Sequence, residues 1–160
     1  MNTSDFLEMK VPAKPEYVGV IRLTISGIAN RLGYTYDDIE DIKIAVAEAC
    51  TNVVNHAYQE DVGQMTIGCG VYDDRLEIMV ADQGRSFSLE DIKEGFGPIN
   101  INKPISDLKE GGLGLFLIDT LMDKVEISNS TGVIIIMTKF LQRGEVEQSD
   151  GQISATPTDQ

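Results

Sequence analysis

The sequence predicts an α+β two-layer sandwich, a mixed but mostly antiparallel sheet with its helices on one face. Three observations carry this. The strand-like stretches come mainly in pairs joined by tight turns, the helix-like stretches are segregated from them, and no internal repeat or linker divides the 160 residues.

The elements follow in order. "DFLEMKVP" alternates weakly and ends at a proline, as a short first strand does. "PEYVGVIRLTISGIANRLG" has apolar residues at helical spacing and stops at Gly33, a C-terminal cap. "TYDDIEDIKIAVAEACTNVVNHAYQ" opens on Thr35 with acids in its first turn, which favours a helix start, and should form one long helix. The period then changes. "QMTIGCGVYDDRLEIMVADQG" reads as two strands turning at Asp73-Asp74. Residues 84–111 hold several Gly and Pro and little periodicity, the pattern of a long loop of the kind that is usually functional or mobile. "GGLGLFLIDTLMDKV" is a helix preceded by glycines, and "VEISNSTGVIIIMTKFL" a second hairpin turning at Ser130-Thr131-Gly132. Residues 1–141 are thus expected to form one domain, and 142–160 a polar, disordered tail without aromatics.

Composition narrows the function classes. With 26 acidic residues against 13 basic, the net charge of -13 and the lack of a basic run argue against nucleic acid or anionic lipid as direct partners. Cys50 and Cys69 make neither a disulfide framework nor a CxxC site and read as buried free thiols. No basic stretch leads into an apolar run at the N-terminus, and "GVIIIM" is too short to span a bilayer, so a cytoplasmic location is expected.

Three constellations carry chemistry. On the long helix, Glu48, Asn52 and Asn55 fall within roughly 60° of one another, beside small apolar residues, with Asp41 on the same line nearer the helix start. A merely solvated face would more often carry Lys, Glu and Arg in i, i+4 pairs. An Asn oxygen suits magnesium, and a nearby Glu can accept a hydroxyl proton, although the same line also fits the polar edge of an amphipathic helix. In "VADQGRSF", a strand ends at Asp82, whose carboxylate can accept from an exocyclic amine while Gly84 lets a flat ring approach; the pattern is also a common turn. In "EGGLGLFLID", Gly111, Gly112 and Gly114 run into a helix whose free amides can hold a phosphate, without a Walker or Rossmann signature.

The order helix Glu-x3-Asn, strand-end Asp-x-Gly, long loop, Gly-x-Gly at a helix start resembles the GHKL nucleotide-binding family of gyrase, Hsp90, MutL and histidine-kinase ATP domains, over roughly residues 6–141. The resemblance implies the GHKL (Bergerat) fold, ATP and magnesium as cofactors, Glu48 as general base and Asn52 as the magnesium-holding ATP residue. It further implies that Asp82 and Gly84 bind adenine, that residues 85–111 form a lid, and that Lys109, Gly111, Gly112, Leu113, Gly114 and Leu115 lie along the phosphates. "EACTNVVNHAY", "ADQGRSF" and "GGLGLFLIDTLMDKV" are most similar to the small anti-sigma serine kinases of that family. Those imply a homodimer that phosphorylates a serine of an anti-anti-sigma protein. They also imply sequestration of an alternative, stress-response sigma factor of the sigma-B type, with Arg22 on the first helix as a partner contact. Departures are Ser86 where a second glycine often stands, Glu110 at the first phosphate-motif position, and the lack of an arginine beside the phosphate glycines. That leaves Lys109, and more weakly Arg85, for the γ-phosphate.

The rival reading is a non-catalytic module that uses ATP only to set its shape and hold a sigma factor; Glu48 speaks for catalysis, since a sensor needs no base. A phospho-accepting role for His56, the only histidine, would need a helix in which an acid follows the histidine; as it stands it reads as a border residue of a packed helix.

Overall fold

The structure is a computed structural model that describes residues 5–60, 63–82, 112–128 and 132–142. The chain begins with strand β1 (Asp5–Pro12) and a single 3-10 turn at Pro15–Tyr17, followed by helices α1 (Val18–Leu32) and α2 (Tyr36–Glu60). Strands β2 (Gln64–Val71) and β3 (Arg75–Asp82), helix α3 (Gly112–Leu121), and strands β4 (Lys124–Ser128) and β5 (Ile134–Phe140) complete it.

Local chemistry sets the boundaries. Gly33 adopts φ 97°, a left-handed conformation, and its N–H reaches the carbonyls of Ala29 and Asn30, so α1 ends where the sequence places its cap. Thr35 Oγ1 accepts from the N–H of Asp38 at 3.1 Å, capping the start of α2, with Asp37 and Asp38 in the first turn beside the positive helix end. The turn between β2 and β3 closes through the Tyr72 N–H to the Arg75 carbonyl, across Asp73 and Asp74.

The five strands lie in the order β1-β2-β3-β5-β4, and every described pairing is antiparallel. The expected second hairpin forms, yet it joins the sheet through β5, its later strand, leaving β4 at the edge. Period-two alternation aims Met65, Ile67 and Cys69 of β2, Leu76, Ile78 and Val80 of β3, and Ile135 and Met137 of β5 at the helices. There they meet Ile21, Ile25 and Ala29 of α1, the stripe Ile42, Val46, Ala49 and Val53 of α2, and Leu115 and Ile118 of α3 in one core. The opposite face carries a smaller cluster of Met79, Ala81, Ile134 and Ile136 with Phe6 against it. The expected α+β sandwich, with helices on one face, is what forms.

Gly84, Arg85, Ser86, Lys109, Glu110, Gly111, the turn residues Ser130 and Thr131, and the tail from residue 143 lie outside the described residues.

Candidate nucleotide site

The site lies on the helical side of the sheet, where α2, the end of β3 and the start of α3 converge. A helix of 3.6 residues per turn places side chains four apart on one line, and Glu48, Asn52 and His56 follow that spacing along α2. Glu48 and Asn52 are half-buried, whereas Asn55 is exposed, so the polar line that matters runs on to His56. The spacing of four from Asn52 was the signal for it.

Asn52 Nδ2 donates to the carbonyl of Glu48 at 2.9 Å. That bond orients the amide and leaves its Oδ1 available as a hard oxygen ligand. Directly facing these two side chains is the first turn of α3. A Cβ built on Gly114 would stand 2.9 Å from Glu48 Oε1 and 3.4 Å from Asn52 Nδ2. With glycine here the Glu48 carboxylate can stand close against α3 without moving, and the approach brings the N-terminus of that helix, whose first N–H groups have no partner within the helix, beside a carboxylate and an amide. Leu115 sends its side chain into the core, so only its backbone is available to a ligand. Gly112 and Leu113 open the same helix.

Asp82 closes β3 on the same side. Its side chain is 1% exposed, and its own N–H reaches the Val133 carbonyl at 3.2 Å. A buried carboxylate needs a partner, and His56 supplies it: Nδ1 stands 2.6 Å from Asp82 Oδ2. The expectation that His56 merely borders a packed helix misses this contact. Asp41 is different again. It shares the helical line but pairs with Lys139 at 3.9 Å near the start of α2, away from the cluster. Arg22 is exposed on α1 and takes no part in this cluster of side chains.

Among the described residues no group of three or more His, Cys, Asp or Glu could hold a metal. Magnesium, which keeps most of its waters and takes one or two protein oxygens, still fits the Asn52 oxygen, which has no hydrogen-bond partner among the described residues. The glycine cradle at Gly114 and the buried acceptor Asp82 fit a phosphate chain and an amine-bearing base.

The family model of the histidine kinase-like ATPase domain matches residues 11–139, spanning all three parts of this cluster. The chain belongs to the histidine kinase-like ATPase family. Use of ATP follows from that membership. Within it, the serine-protein kinase RsbW of Halalkalibacterium halodurans is 66% identical over 96% of this chain and 94% of that protein. RsbW of Oceanobacillus iheyensis is 56% identical over 98% and 99% of the two chains, and that of a Bacillus cereus strain 56% over 96% of each. Among solved structures, the RsbU and RsbW domains of Rv1364c from Mycobacterium tuberculosis superpose with a TM-score of 0.60 over 86% of this chain and 32% of that one. At 18% identity this is a likeness of fold.

Proposed function

We propose that the protein is an ATP-dependent protein serine kinase and anti-sigma factor. It phosphorylates a serine of an anti-anti-sigma protein and sequesters an alternative, sigma-B-type stress-response sigma factor, switching between the two partners. The observation that carries the kinase reading is the close approach of Gly114 to both Glu48 and Asn52, which joins a base, a hard oxygen and a helix N-terminus in one place. High identity to serine-protein kinases named RsbW supports the substrate class.

Phosphoryl transfer asks a protein mainly for positioning and charge stabilisation. Glu48 accepts the proton of the attacking serine hydroxyl. Backbone N–H groups of the first turn of α3, with Gly111 and Lys109 before it, hold the phosphates. Asp82 accepts from the amine of adenine, and Gly84 lies under the ring. Asn52 would hold magnesium, which would supply positive charge to offset that of the phosphates. Arg22, exposed on α1, contacts the partner proteins. The protein works as a homodimer in the cytoplasm. Among the described residues no helix is long and apolar enough to cross a membrane.

The test incubates the purified protein with γ-labelled ATP, magnesium and a candidate anti-anti-sigma protein. Label is expected on a serine of the latter, and Glu48→Gln should lower transfer by about 100-fold while ATP still binds. Bound ATP without any label would leave nucleotide-gated sequestration as the function. Equal loss of ATP binding in Glu48→Gln would remove Glu48 from the role of base.

A further inference from the structure

Asp82 is nearly excluded from solvent, and among the described residues its side chain is bonded to His56. A carboxylate offers acceptors, so the imidazole Nδ1 that stands 2.6 Å from Oδ2 is the donor of the pair. The bond does two things to the carboxylate. It engages Oδ2, and it favours one setting of the last side-chain torsion, so that Oδ1 is held in one place as the acceptor for a ligand N–H. His56 comes from α2, the helix that also presents Glu48 and Asn52, so the same rigid element sets both ends of the cluster. A carboxylate without this donor could turn either oxygen to a water in place of a ligand N–H, and it would sit buried without its charge-assisted bond.

We propose that His56 is a positioning residue for base recognition: it holds Asp82 as a fixed acceptor, and so sets selectivity for a purine with a 6-amino group. The proposal rests on the reading of Asp82 as the residue that receives that amine.

The test measures affinity of the full chain for ATP and for purine riboside triphosphate, which lacks the 6-amino group but keeps the ring, sugar and phosphates. His56→Phe removes the donor and keeps a flat ring. It is expected to weaken ATP binding about tenfold, the range of one hydrogen bond to a charged group, while purine riboside triphosphate binding changes by less than about twofold. His56→Asn places its amide nitrogen where Nδ1 stood and should restore the ATP preference, whereas His56→Gln, whose nitrogen falls near Nε2, should not. Equal losses for both nucleotides, unchanged ATP binding in His56→Phe, or equal rescue by Asn and Gln would overturn the proposal. If His56→Phe fails to fold, the Asn and Gln pair decides alone. Asp82→Asn separates the two layers. Loss of the ATP preference there, with none in His56→Phe, sinks the role of His56 only; a preference kept in Asp82→Asn sinks the adenine reading beneath it.

Discussion

Gly114 on α3 and Glu48 on α2 approach until a single added carbon would stand 2.9 Å from the Glu48 carboxylate. The atom it would strike is the far end of a flexible side chain, so Gly114→Ala can be accommodated by moving Glu48. Alanine also favours the helix by about 0.8 kcal/mol over glycine. The expected outcome is a melting temperature that does not fall, with phosphoryl transfer lowered by about 100-fold through displacement of the base. Thermal melting and a single-turnover assay check both halves. Full activity in Gly114→Ala would mean that Glu48 does not act from this position.

Asn52 offers its oxygen because its nitrogen is held by the Glu48 carbonyl. Asn52→Ala should weaken ATP binding by about tenfold in magnesium and hardly at all in a chelator. Titrations in the two buffers decide it, and an equal effect in both would assign Asn52 to the nucleotide rather than to the ion.

Lys139 on β5 is largely buried and donates to the Leu121 carbonyl at 2.7 Å, binding the last turn of α3, with Asp38 and Asp41 each at 3.9 Å. The short bond to a helix-end carbonyl matters most; the two longer, partly exposed pairs add little. Lys139→Met should cost about 2 kcal/mol in urea unfolding, with Lys139→Arg recovering part of it. No change in the urea midpoint would show that the contact is dispensable.

Cys50 and Cys69 are buried among apolar side chains, and burial pushes both thiols from an ordinary 9.0 up to about 12. Because the folded value lies above the unfolded one, their contribution is complete below about pH 9 and is lost as the pH rises toward 12. A thiol reagent at pH 8 should therefore react only after denaturant is added, and unfolding should become easier across the alkaline window. Rapid labelling of the native protein would contradict the burial of both.

Much of this was legible in one dimension. The cap at Gly33, the start of α2 at Thr35, the turn at Asp73-Asp74 and the glycine start of α3 each depend on residues within a few positions of one another, and local backbone chemistry decides them. Glu48 and Asn52 were legible for the same reason, since a helix translates spacing directly into a shared face.

Side-chain contacts between elements far apart in sequence were not legible. His56 meets Asp82 across 26 residues, and Lys139 meets Asp41 from the far end of the chain. Such pairs depend on how α2 lies across the sheet and on β5 pairing beside β3, which hydrophobic burial of whole faces selects rather than any residue's neighbours. The elements, their amphipathic faces and the order of the motifs could be read from residue order, because those follow from backbone geometry and period. Tertiary packing alone decided that Gly114 comes against Glu48, that His56 holds Asp82 and that Asp41 is drawn away to Lys139, because side chains distant in sequence meet only once the sheet and helices bury their shared face.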